Sequence, residues 1–101
     1  FFKVDGGTKW QFEASNAGTQ DTNTDVGTRA SGTWVVLGFT YDYNDGKTAI
    51  ITPYVNGVAD TAVELTIAGL SEMHVLMGAK AGGTGTEEIF QVDYVHVVAE
   101  R

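Results

Sequence analysis

The sequence predicts an all-β chain folded as an antiparallel β-sandwich of six or seven strands. Three observations predict it. The chain is rich in Thr and Val, whose β-branched side chains fit a pleated surface. Thirteen glycines against a single proline supply turns. Several segments alternate apolar and polar residues with period two, and none holds apolar residues at helical spacing without a Gly or a strand-like alternation intruding.

The elements follow in chain order. Residues 1–4 form a strand stub ended by Asp5-Gly6-Gly7. Trp10, Phe12 and Ala14 alternate with Lys9, Gln11 and Glu13, as a half-buried strand does. Residues 15–32 are polar and rich in Thr, Asn, Asp and Gly, which predicts a functional loop or a loop holding a short weak strand. The strongest strand is residues 33–43, with Val35, Leu37, Phe39, Tyr41 and Tyr43 on one face. Asn44-Asp45-Gly46 turns the chain into a partner strand over 48–55, because these residues tolerate the positive φ of hairpin turns. Pro53 has no N–H, which predicts an edge position or a bulge there. Asn56-Gly57 is the next tight turn, and 62–67, 73–80 and 89–98 are the remaining strands. No repeat or Pro/Ser-rich linker divides the chain, so the expectation is one domain over 1–101.

Composition excludes several function classes. Thirteen acids against six bases give a net charge of -7 and a pI near 4.5. No two of Lys3, Lys9, Arg29, Lys47, Lys80 and Arg101 are adjacent, so nothing forms the basic patch that nucleic acid or an anionic membrane requires. No apolar run approaches the roughly 20 residues of a membrane-spanning helix. With no cysteine there is no disulfide, thiolate metal site or Cys nucleophile. The chain opens Phe1-Phe2-Lys3-Val4 without Met, as expected of a mature product or a segment of a longer protein.

Four segments in order carry a family resemblance. They are Trp34-Val35-Val36-Leu37-Gly38-Phe39-Thr40-Tyr41-Asp42, Tyr54-Val55-Asn56-Gly57-Val58, Val75-Leu76-Met77-Gly78, and Phe90-Gln91-Val92-Asp93-Tyr94-Val95-His96-Val97. Together they resemble the concanavalin A-like, laminin-G-like jelly-roll domains over residues 32–98. The resemblance implies a jelly roll, here with the first half of the double sheet shortened, and a fold that serves lectins, adhesion modules, enzymes and virion parts alike. The Gly/Thr-rich, acidic, cysteine-free character also resembles domains of bacteriophage virion proteins.

Candidate chemistry is sparse. Sugar-cleaving members of that family carry Glu-x-Asp-x-x-Glu on one strand. Here Glu87, Gln91 and Asp93 share a parity, but Gln91 is no acid and the spacing differs, so Glu87, Glu88 and Asp93 read as solvated or turn-forming groups. His74 and His96 are the only histidines, and Ser15, Ser31 and Ser71 have no nucleophile motif around them. No catalytic residue is assigned. Calcium is the one cofactor the oxygens suggest. Asp42 and Asp45 in Asp42-Tyr43-Asn44-Asp45-Gly46 are the weak metal candidates, and Asp21, Asn23 and Asp25 alternate in the polar segment, although turn chemistry accounts for both sets. Tyr43, Asn44 and Asp45 are the weak ligand-binding candidates, since an aromatic beside a turn can stack a pyranose ring. Trp10 and Trp34 lie in apolar strands and read as core or sheet-edge anchors, and Tyr54 is a further aromatic candidate. Gly82-Gly83-Thr84-Gly85 lacks the Lys and helix of a phosphate loop.

Two functional expectations follow. The first is a non-enzymatic structural or surface interaction module, of the virion capsid-decoration or fibre type, assembled as a homo-oligomer or within a larger particle. The second is a lectin-like carbohydrate-binding module for a surface glycan, with calcium as an option. Both place the chain outside cells or on a virion surface, with no nucleic-acid or membrane partner.

Overall fold

The computed structural model describes residues 2–3, 8–16, 18–30, 32–43, 47–67 and 91–98. The chain divides into two compact units, Phe1–Ser71 and Glu72–Arg101.

The first unit is all-β, with no helix among its described residues. Its strands are β1 (Phe2–Lys3), β2 (Lys9–Asn16), β3 (Thr19–Thr28), β4 (Leu37–Tyr43), β5 (Thr48–Val55), β6 (Val58–Ala59) and β7 (Val63–Thr66). They form two antiparallel sheets. The first runs β1-β2-β3; in the second, β5 is central, with β4 on one side and β6 and β7 on the other.

The two sheets share one hydrophobic core. Phe12, Ala14 and Val26 come from the first sheet, and Ala49, Ile51, Val63 and Leu65 from the second, with Ile67 just beyond β7. Phe2, Trp10, Tyr41 and Val55 pack around them. The expected alternation of Trp10, Phe12 and Ala14 therefore does select the buried face of β2. The short β1 is held on that sheet by an edge-to-face contact of Phe2 with Phe12 at 4.8 Å and by the Lys3–Glu13 ion pair at 2.7 Å.

Several expectations change. The polar segment 15–32 contains a ten-residue strand, β3, and no long loop. Asn16 pairs with Thr19, and Gly18 takes a φ of 86° in the tight connection between them. Register shifts opposite Lys9/Trp10 and Trp10/Phe12 mark two bulges in β3, which carries the extra residue each time. Gly27, at φ 60°, falls in the first of them, between Val26 and Thr28.

The strand expected over 33–43 begins only at Leu37. Its partner β5 ends at Val55, where Asn56 (φ 52°) and Gly57 (φ 79°) make the expected tight turn into β6. Beyond that point Val36 is held by Asn56 alone. The Val36 N–H donates to Asn56 Oδ1 at 2.9 Å, and its carbonyl accepts from the Asn56 N–H at 2.8 Å. Trp34 consequently stands outside any strand and is 70% exposed, so it is neither a core nor a sheet-edge anchor.

Pro53 is fully buried in the central strand, not at an edge. Its missing N–H falls where the neighbour of β5 changes from β7, which pairs with residues 48–51, to β6, which pairs with 54 and 55. The Pro53 carbonyl still accepts the Asp60 N–H at 2.9 Å. The β4–β5 register runs unshifted through Phe39↔Pro53, so the proline sits neither at an edge nor in a bulge, and the gap between β7 and β6 is what accommodates it.

In the second unit, residues 91–98 form no strand, and all are exposed. The strand expected over 89–98 does not form across these residues, because a strand needs a ladder and none of the described residues pairs with them. The strand expected over 73–80 and the turn at 44–46 lie outside the described residues.

Candidate functional site

The two sides of the second sheet are finished differently. On the β7 side, polar side chains from the first sheet close the edge. Asn16 Nδ2 donates to the Thr66 carbonyl at 2.8 Å, and the Glu64 N–H donates to Asp21 Oδ2 at 2.9 Å. Asn23 Nδ2 reaches the Thr61 carbonyl at 3.0 Å and Asp60 Oδ1 at 3.2 Å. The Glu64 N–H and the Thr66 C=O, two outward backbone groups that would otherwise help template another strand, are thus satisfied within the unit.

Asp60 anchors this seam. Its carboxyl is held below the usual carboxylate range, first by the Thr61 N–H at 2.7 Å. The Asn23 amide, the Gly27 N–H and nearby Lys9 act in the same direction, against partial burial, which pushes it up. A depressed folded-state pKa means the carboxylate's contribution is fully present above its ordinary value of 3.8 and is lost as pH falls through the lower folded value. We expect the urea midpoint of the wild-type chain to drop more than that of Asp60→Asn between about pH 6 and about pH 3. Equal drops would mean the seam does not depend on this carboxylate.

On the β4 side no such finish is found among the described residues. Leu37, Phe39, Tyr41 and Tyr43 pair with Val55, Pro53, Ile51 and Ala49, so they share the core-facing side of the sheet. Phe39 touches the core through Phe12, with ring centroids 5.9 Å apart. Even so, Phe39 and Tyr43 are each 54% exposed. Two large aromatics thus lie on the apolar face of a strand that the first sheet does not cover. The Tyr41 hydroxyl between them is pushed up in pKa, mainly by burial and secondarily by Tyr43, as a phenol at the margin of a dry surface should be. Among the described residues, nothing pairs with the outer edge of β4.

The other candidates are scattered. Asp42 and Tyr43 are consecutive at the end of β4, both exposed, on opposite faces; Asn44 and Asp45 lie outside the described residues. Asp21, Asn23 and Asp25 belong to β3, where Asp21 and Asn23 bind the β7 side and Asp25 pairs with Lys9 at 2.9 Å. Tyr54 is half-buried in β5, and Ser15 is exposed near the end of β2. Gln91, Asp93 and His96 are exposed and lie in no strand, while Glu87, Glu88, His74, Ser31, Ser71 and residues 82–85 are outside the described residues. Among the described residues there is no group of three or more His, Asp or Glu able to hold a metal ion. No helix among them is long and apolar enough to cross a membrane.

The chain matches no protein-family model, no curated protein and no solved structure in these comparisons. Its function is therefore argued from its own surface. The feature that reasoning from sequence did not single out is the uncovered face of β4. The alternation of Phe39, Tyr41 and Tyr43 announces an apolar face. It carries no information on whether another layer covers that face.

Proposed function

We propose that this chain is a non-enzymatic structural or surface interaction module, a β-sandwich of jelly-roll type that serves as a virion capsid-decoration or fibre-type subunit. The observation that carries the reading is the contrast between the two sides of the second sheet. The β7 edge is closed by Asn16, Asp21 and Asn23, whereas β4 leaves Phe39 and Tyr43 half in solvent on its apolar face. Exposed aromatics beside a strand edge that no described residue pairs with are a liability for an isolated domain and an asset for a subunit. A homo-oligomer or a larger particle on a virion surface or outside cells is the setting in which this asymmetry is useful.

Sedimentation velocity of the chain at two concentrations, and of the particle that contains it in its native source, tests the reading. A large defined particle or concentration-dependent assembly is expected. A monomer stable to dilution and concentration alike, recovered free from its source, would overturn it.

The lectin-like reading is favoured by the exposure of Tyr43 and Trp34, aromatic faces on which a sugar ring can stack. It predicts a change in Trp fluorescence on a glycan panel, and sensitivity to EDTA if Asp42 and Asp45 hold calcium. No response across the panel removes it.

A further inference from the structure

We infer that Asn56 is a site of spontaneous deamidation, and that its isoaspartyl product releases Val36 from the β5–β6 turn. The inference rests on the turn and stands independently of the subunit reading.

The fold imposes the reactive pair. Val55 pairs with Val58, so β5 and β6 are joined by a two-residue loop. Both loop residues take positive φ, 52° at Asn56 and 79° at Gly57. Such a loop favours Asn followed by Gly, because asparagine tolerates the left-handed region and glycine enters it without strain. The same pair is the one most prone to cyclise, since Gly57 has no side chain to hinder its nitrogen as it nears the Asn56 Cγ. Asn56-Gly57 is the only Asn-Gly pair in the sequence. Asn16, Asn23 and Asn44 precede Ala17, Thr24 and Asp45, whose side chains obstruct that approach. Asn56 and Gly57 are both exposed, so water and base reach them. The ladder ends at the Val55–Val58 pair, which leaves the Gly57 N–H outside it.

The reaction consumes water and releases ammonia. The Gly57 nitrogen gives its proton to hydroxide and bonds to the Asn56 Cγ. The Cγ–Nδ2 bond breaks, and Nδ2 leaves as ammonia. Water then opens the resulting succinimide at either carbonyl. Breaking the new Cγ–N bond gives aspartate with the main chain unchanged. Breaking the original Asn56–Gly57 peptide bond gives isoaspartate, whose main chain runs through Cβ and Cγ.

The two products differ in what they do to Val36. In the native chain the Val36 N–H donates to Asn56 Oδ1 at 2.9 Å, and the Val36 carbonyl accepts the Asn56 N–H at 2.8 Å. Aspartate keeps a side-chain oxygen and the backbone N–H in place, so both bonds survive. In isoaspartate the Oδ1 carbonyl becomes part of the main chain, which gains a methylene. A loop whose geometry matched the strands at two residues then no longer fits, and Val36 loses its acceptor. The same hydrogen bond sets the pace. Ring closure turns Cγ toward the Gly57 nitrogen, and the Val36 N–H holds Oδ1 against that rotation. The rate therefore follows the fraction of chains in which this contact is open.

The wild-type chain, aged at mildly alkaline pH and mapped by peptide mass spectrometry, should deamidate at Asn56 ahead of Asn16, Asn23 and Asn44, with isoaspartate as the main product. Val36→Pro, which removes the N–H donor, should deamidate roughly fivefold faster, the population change that one net hydrogen bond corresponds to. If that variant does not fold, wild-type chain in urea takes its place and should outpace the native chain by at least the same factor. The Val36 amide should exchange slowly with solvent in fresh wild type and in Asn56→Asp, and rapidly in the purified isoaspartyl form. An Asn56 that stays intact in the folded chain, or another asparagine that converts first, overturns the site. A native chain that reacts as fast as the chain in urea overturns the control by Val36. Equal protection of the Val36 amide in the isoaspartyl form overturns its release.

Discussion

Phe12→Ala should lower the unfolding free energy by about 3–5 kcal/mol, the usual cost of removing a buried aromatic ring and leaving a cavity. Phe12 is 2% exposed and lies where the strands converge. It pairs with Phe2 of β1 across the first sheet, and its ring meets Phe2 edge-on and Phe39 of β4 at a tilt. One substitution therefore loosens β1, the core and the attachment of β4 together. A chain of this length has about 5–15 kcal/mol of total stability, so the loss is a large part of the whole. Urea denaturation reads it as a fall in midpoint at unchanged slope. Phe12→Leu, which keeps most of the volume, should lose less than about 1.5 kcal/mol. If Phe12→Ala proved as mild as Phe12→Leu, the core would not be centred on this ring.

The parts of the fold that were legible in the sequence share one property. Their side-chain pattern and their burial are set by the same period. β7 buries Val63 and Leu65 at alternate positions, β2 buries Phe12 and Ala14 with the Lys3-paired Glu13 also buried between them, and Asn56-Gly57 turns where its positive φ angles are needed. β3 was illegible because the period is broken twice by bulges and because two of its core-side positions are polar. Asp21 pairs with Ala14 and Asn23 with Phe12, yet each splits its hydrogen bonds between its own strand and the β7 side of the other sheet. A residue whose polar atoms bind another strand's backbone looks, in sequence, like a loop residue. Val26 alone among the ten residues of β3 is a buried apolar side chain.

Trp34 and Pro53 were misjudged for a related reason. Their positions depend on where partner strands stop. The β4–β5 ladder ends at Leu37 and Val55, which leaves Trp34 in solvent, and the change of partner from β7 to β6 makes room for a proline in a central strand. Ladder ends are set by tertiary pairing, which a single strand's pattern does not encode. The same holds for the candidate site. The sequence shows that β4 has an apolar face, and it does not show how far the first sheet reaches over that face, where Phe39 and Tyr43 stay half exposed.

Gly27→Ala should be nearly as damaging as the loss of Phe12, at roughly 2–4 kcal/mol, although it adds only one methyl group. Two effects combine. At φ 60° the backbone occupies the left-handed region, where an L side chain costs roughly 1–2 kcal/mol. A Cβ at this position would also lie 3.1 Å from Val55 Cβ and 3.2 and 3.3 Å from its two methyl carbons, so tight that Val55 must give way by a few tenths of an ångström. Val55 belongs to β5, so the new methyl group wedges the two sheets apart where the first bulge brings β3 against the second sheet. A double-mutant cycle with Val55→Ala separates the two causes. Trimming Val55 removes its methyl carbons and should recover part of the loss, a coupling of roughly 0.5–3 kcal/mol. The backbone strain stays, so the double variant should remain less stable than Val55→Ala alone. Full additivity would mean that the two Val55 methyl carbons take no part in the cost, since Val55→Ala keeps the Cβ at 3.1 Å.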